Sequence, residues 1–241
     1  MLRRLLPALL ACFALALAAC GDDEETVGDR PTTEGLQSET SGTVTGAEEE
    51  PKPVEPASGC RKVKEPKPKS AKLEKPKDRL DAGKTWIAVM KTSCGTLEIT
   101  LDVKENPKTA SSFAHMVREG FYDNLLFHRV VPGFVVQGGD PKGTGQGGPG
   151  YSVVEAPPRS EKYKPGTVAM AKTELEDPGT SGSQFFIVTG TDIPLEPLYA
   201  VVGRVTKGDK VVDLLANVPN DPADNRPTEP VVIEKVTLRS E

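Results

Sequence analysis

Phe127-His128-Arg129-Val130-Val131-Pro132-Gly133-Phe134-Val135-Val136-Gln137-Gly138-Gly139-Asp140 holds two short apolar runs separated by Pro132-Gly133. The runs read as strands, Phe127 to Val131 and Phe134 to Gln137, with the glycines as turns. Upstream, Ile87 to Met90 is apolar, Cys94-Gly95 sits at a turn, and Leu97 to Asp102 alternates with period two, the pattern of a β-hairpin. Asn106-Pro107 opens a helix whose Ala110, Phe113, Ala114 and Val117 share one face, and Gly120 closes it. Downstream, Thr167 to Ala171, Phe185 to Thr189 and Tyr199 to Val205 read as further strands. A second helix places Val211, Leu214, Leu215 and Val218 together, and Val231 to Leu238 makes a last strand. Many short strands and two helices in about 155 residues predict a mainly β fold, a closed antiparallel barrel with helices covering its ends.

The chain outside this region has a different character. Arg3 and Arg4 precede an apolar stretch, Leu5 to Ala16, too short to span a bilayer, and then Leu17-Ala18-Ala19-Cys20. This run resembles a bacterial lipoprotein signal, which implies cleavage before Cys20, acylation of that cysteine (palmitate among the expected acyl groups), and an extracytoplasmic protein held to a bacterial membrane. Residues 20–85 carry many prolines and almost no large apolar side chains, so they are expected to form a disordered tether. Its first part is acidic and its second part basic, with Lys/Pro-rich spacing. The expected division is therefore 1–19 signal, 20–85 tether, 86–241 folded domain. Cys60 and Cys94 remain after cleavage, in an oxidising compartment. Two is the only pairable number, so a Cys60–Cys94 disulfide stapling tether to domain is expected over two free thiols. The formal charge of −5 argues against a nucleic-acid grip, and the absence of Cys-x-x-Cys argues against a structural zinc.

The 127–140 stretch continues through Gly143-Thr144-Gly145-Gln146-Gly147-Gly148-Pro149-Gly150-Tyr151, and a second cluster is Ser181-Gly182-Ser183-Gln184-Phe185-Phe186-Ile187. Together these resemble the cyclophilins, peptidyl-prolyl cis–trans isomerases, over roughly residues 86 to 241. The resemblance implies an eight-stranded barrel and rotation of X-Pro bonds in exported, folding polypeptides. It implies Arg129 as the catalytic residue. It places Phe134, Val135, Phe186 and Leu195 on the wall of a proline pocket, Gln137 against both Arg129 and the substrate, Gln184 lining the site, the backbone of Ala171 on the bound peptide, and Tyr199 on the rim. Val135 stands where the family often has methionine. Pro194 takes the place of a rim tryptophan, Lys172 that of a usual asparagine, and the loop Thr173 to Thr180 is longer and more acidic than usual. Proline-containing clients, a monomer, and no cofactor, metal or nucleic acid are implied.

The chemistry is compatible with these residue types. A peptide bond resists rotation by about 18–20 kcal/mol because its C–N bond has double-bond character. A catalyst needs no nucleophile. It needs a ring pocket, a hold on the flanking backbone, and a donor that favours the twisted amide. Arg129 is the one strong cation in an apolar, glycine-rich cluster, and its guanidinium offers a planar fork of donors. On pattern alone it reads instead as a structural arginine paired with a carboxylate such as Asp140. The aromatics read as core, and Gln137 and Gln184 as internally bonded amides. His128, next to Arg129, is expected to point to the opposite face, and both it and His115 to be structural. A binding module that holds prolyl peptides without turnover is the alternative function. Gly143-x-Gly145-x-x-Gly148 lacks the strand–helix setting of a dinucleotide site, and Ser181 and Ser183 do not form a hydrolase elbow.

Overall fold

A computed structural model of the chain describes residues 59–70 and 72–241. The expected signal, Cys20 and the first part of the tether lie outside the described residues. In chain order the elements are β1 (Trp86–Thr92), β2 (Gly95–Leu101), α1 (Pro107–Arg118), β3 (Leu125–Val131), β4 (Val135–Asp140), β5 (Val153–Val154), β6 (Thr167–Met170), β7 (Thr180–Ser181), β8 (Phe185–Val188), β9 (Val201–Lys207), α2 (Asp209–Ala216) and β10 (Val232–Ser240). Eight strands close an antiparallel barrel in the order β1-β10-β3-β4-β8-β6-β9-β2. The expected barrel and both helices are present. The β5–β7 pair is additional, and strands of two residues carry no periodicity by which to find them.

The strand patterns explain the burial. In β2, Leu97, Ile99 and Leu101 point inward and are buried while their neighbours face out. Inside the barrel, the ring of Phe185 meets those of Phe113, Tyr122 and Phe127 edge-on at 5.6 to 6.1 Å. Helix α1 starts at Pro107, where a missing N–H costs nothing. Its cap is remote: the Glu155 carboxylate accepts from the N–H groups of Lys108 (3.0 Å) and Thr109 (2.7 Å). An anion at a helix N-terminus also complements the helix dipole. Helix α2 buries Val212, Leu215 and Ala216.

Alternation on β4, β6 and β8 sorts side chains onto two faces. Val136, Val168, Met170, Phe185 and Ile187 join the barrel interior. Val135, Ala169, Phe186 and Val188 form a second apolar cluster on the outer face. Register shifts flank Phe127 in the β3–β4 ladder, and they reset the alternation of β3. Phe127 and Val130 are both buried in the core, and Arg129 comes out opposite Gln137. A bulge of this kind re-aims a side chain that strict alternation would send elsewhere.

The expectation of a free tether as far as residue 85 is corrected over its described part. Between Cys60 and Leu80 the described residues lie against the barrel and its loops. Cys60 is joined to Cys94 by a disulfide. Leu80 is buried, and its N–H donates to Ser111 Oγ at 2.9 Å. Between them Val63, Pro66, Lys69, Leu73 and Pro76 are half-buried while most neighbours are exposed. Roughly every third residue therefore faces the barrel, the repeat of an extended polyproline-like segment. Composition undercounted this docking because its apolar contacts are few but regularly spaced, and its backbone bonds go to other parts of the chain.

Candidate active site

The outer-face cluster brings together six of the expected residues. Phe134, Ala171, Leu195 and Tyr199 pack against Val135 and Phe186, with Tyr163, Ile193 and Val201 completing the patch. The rings of Phe186 and Tyr199 meet edge-on at 5.4 Å, and Tyr163 stands 6.1 Å from Tyr199 and 6.4 Å from Phe186. Tyr163 clamps the rim: its hydroxyl donates to the Tyr199 carbonyl at 2.8 Å and accepts from the Tyr199 N–H at 2.9 Å. Burial pushes the Tyr163 phenol up to about 12. Sequence reasoning missed Tyr163 and Ile193. The available signal for Tyr163 was an aromatic standing alone in the polar stretch 159–164.

Beside this patch runs a chain of polar contacts. Arg129 Nη1 donates to Gln137 Oε1 at 3.5 Å, and Gln137 Nε2 donates to Gln184 Oε1 at 3.1 Å. Gln184 Nε2 donates to the carbonyls of Gly145 (2.9 Å) and Gly147 (3.0 Å). The two half-buried glutamines are thus bonded to each other, and Gln184 to the loop. The N–H of Ala171 donates to the Gln184 carbonyl at 2.8 Å, which sets the Ala171 backbone beside this chain.

Asp140 does not pair with Arg129, and among the described residues no carboxylate forms an ion pair with that guanidinium. Asp140 organises the following loop instead. Its carboxylate accepts from the N–H groups of Lys142 (2.7 Å), Thr144 (2.8 Å), Gly145 and Gln146 (3.1 Å). Burial alone would raise its pKa, but backbone donors outweigh burial and hold the carboxyl below its ordinary value. A side chain at Gly147 would put its Cβ 1.9 Å from Asp140 Oδ1, so only glycine fits there. The loop so held walls a cleft of about 510 Å³, together with Gln137, Ala171, Lys172, Thr173 and Gln184. The acidic loop is partly self-contained: the Glu176 carboxylate accepts from the Thr173 N–H (2.7 Å) and hydroxyl (2.9 Å).

His128 turns away from the cleft and is 8% exposed. Burial lowers its pKa, Asp140 opposes that, and Arg226 and Arg129 reinforce it. Folded His128 therefore stays neutral where an unfolded imidazole takes up a proton. Stability is expected to hold above the ordinary value of 6.5 and to fall as pH drops from there through the lowered folded pKa. Urea midpoints at pH 7.5 and 5.0 check this, with His128→Gln expected to flatten the difference and an unchanged slope counting against it.

Over residues 87–238 the chain matches the family described as cyclophilin type peptidyl-prolyl cis-trans isomerase. It is 40% identical over 169 residues to the probable peptidyl-prolyl cis-trans isomerase A of Mycobacterium leprae, covering 63% of this chain and 91% of that protein. It is 38% identical over 172 residues to peptidyl-prolyl cis-trans isomerase A of Mycobacterium tuberculosis, covering 64% and 92%. A crystal structure of a cyclophilin-type isomerase from Cryptosporidium parvum aligns with a TM-score of 0.60 at 30% identity, over 65% of this chain and 99% of that one. A structure of that protein in the presence of the dipeptide Ala-Pro gives 0.60 at 31% identity, over 64% and 99%. The chain belongs to the cyclophilin-type peptidyl-prolyl cis–trans isomerase family, and it is an enzyme of that class.

Proposed function

We propose that the outer-face patch binds the proline ring and that Arg129 drives the rotation. The ring lies against Phe134, Val135, Phe186, Leu195 and Tyr199. Arg129 donates hydrogen bonds to the substrate carbonyl and to the prolyl nitrogen as that nitrogen loses conjugation and gains a lone pair. This interaction grows along the reaction coordinate, which is the condition for accelerating it. Gln137 holds the guanidinium in place and offers its amide to the substrate. Ala171 and Gln184 receive the chain beside the proline, with the cleft beyond taking flanking residues. No bond is made or broken, so the reaction calls for no cofactor. The observation that carries this reading is Arg129 itself, a half-buried guanidinium bonded to a neutral amide beside an apolar patch.

The substrates in this proposal are proline-containing segments of exported polypeptides, and the protein is a lipoprotein anchored outside the cytoplasmic membrane through Cys20. The sequence Leu17-Ala18-Ala19-Cys20 and the Cys60–Cys94 disulfide, a bond that persists in oxidising compartments, support that placement. The expected result is a detergent-extracted protein whose mass corresponds to a chain starting at an acylated Cys20. Cys20→Ser should abolish that species. An unacylated chain in the wild-type membrane fraction would refute the anchor without touching the catalytic reading.

A further inference from the structure

Five glycines fall within residues 143–150, the loop that walls the cleft. Such a sequence has high conformational entropy, and a single defined path for it requires ties on every side. The inner ties are the Asp140 carboxylate and the Gln184 amide. Most of the outer ties come from the docked segment between Cys60 and Leu80. The N–H of Lys69 donates to the Pro141 carbonyl at 2.9 Å, and the N–H of Leu73 to the Pro149 carbonyl at 2.8 Å. These two bonds grip the loop at its beginning and end. Near the start of the loop, Arg226 joins Glu65 of the segment (2.7 Å) to the Gly143 carbonyl (3.0 Å). The Lys72 side chain lies on Gly150 so closely that a Cβ there would come within 2.6 Å of it. The segment is itself held at both ends, by the disulfide to Cys94 and by buried Leu80.

We propose that the segment between Cys60 and Leu80 is a positioning element of the substrate cleft: a strap that fixes the Gly143–Gly150 loop, the wall against which chain flanking the proline lies. The inference rests on the reading of this cleft as the place where chain flanking the proline binds. A strap of this kind acts on recognition of flanking residues. A preformed wall spares the bound complex the ordering of a flexible loop, a cost otherwise subtracted from affinity. The chemical step at the proline lies on the barrel strands and is left as it is. The strap residues are positioning residues and touch no reacting atom.

The test uses the full chain in detergent and three proteins: wild type, Cys60→Ser/Cys94→Ser, and Leu73→Pro, which deletes the N–H bonded to Pro149 and keeps the disulfide. Two substrates are compared, a capped Ala-Pro dipeptide and the same core extended by three residues on each side. Both variants should raise KM for the extended peptide by about three- to tenfold, with kcat within about twofold and the short peptide unaffected. Backbone amides of Thr144, Gly145 and Gln146 should also exchange with solvent faster in both variants. Should the double variant fail to fold, Leu73→Pro carries every comparison. Unchanged KM and unchanged amide exchange would overturn the proposal, and so would an equal rise of KM for both peptides, which signals general loosening. If wild type isomerises neither peptide, the reading of the cleft fails instead. Amide exchange then decides the strap alone, faster loop exchange upholding it and wild-type exchange overturning it.

Discussion

Arg129→Ala is expected to lower kcat/KM for prolyl peptides by about two to three orders of magnitude, or roughly 3–4 kcal/mol of transition-state stabilisation. The expectation follows from the position of the guanidinium. It stands on the outer face beside the apolar patch, and its protein partner is the Gln137 amide at 3.5 Å. That bond is long, and the guanidinium has further donors to give. Its removal strands no buried carboxylate, since Asp140 is satisfied by loop amides. Folding should therefore change by less than about 1 kcal/mol, the range for a partly exposed side chain outside the core. Arg129→Lys should recover only part of the activity, because a point charge cannot offer the planar fork. A variant that melts like wild type and retains more than a third of its activity would remove Arg129 from the mechanism.

Asp140→Ala carries the other large effect, on stability as well as activity. The 1% exposed carboxylate accepts from four backbone N–H groups. Deleting it removes charge-assisted bonds and leaves their donors to be met by whatever water can enter. A loss of about 3 kcal/mol in urea unfolding is expected. The loop would then loosen its carbonyls at Gly145 and Gly147, and with them the anchor of Gln184, so kcat/KM should fall about tenfold. The pH dependence adds a signature. The folded pKa of Asp140 is depressed, so its contribution is complete above the ordinary value of 3.8 and is lost as pH falls through the lower folded value. The acid limb of the wild-type stability curve should accordingly be shallower in Asp140→Ala. A variant as stable as wild type at pH 7 would contradict this role.

The sequence made the strong periodicities legible. The Leu97–Leu101 alternation, the α1 face of Ala110, Phe113, Ala114 and Val117, and the glycine-separated strands all stand where they were expected. The patch residues could be named only through the resemblance of the 127–151 and 181–187 clusters to the cyclophilins, since on pattern alone they read as core. What stayed hidden depends on contacts distant in sequence. Tyr163 sits in an irregular stretch, and only the fold carries it to Tyr199. The bulge at Phe127–Arg129 breaks the alternation at the very position that aims Arg129. Asp140 offered itself as an ion partner, although an aspartate followed by Pro141, Gly143 and Gly145 also fits a side chain that bonds its own following backbone. The tether read as unfolded from its prolines and scarce large apolar residues, and the contacts that dock its described part, at roughly every third position from Val63 to Pro76, have a period of neither strand nor helix.

The most direct measurement is exchange spectroscopy by NMR on an Ala-Pro peptide, with the full chain added in catalytic amount and no protease present. Cis and trans resonances, which interconvert uncatalysed over tens of seconds, should show exchange within sub-second mixing times, at a rate proportional to protein concentration. Resonances that shift on binding while exchange stays at the uncatalysed rate would contradict this expectation, and would make this barrel a holder of prolyl peptides.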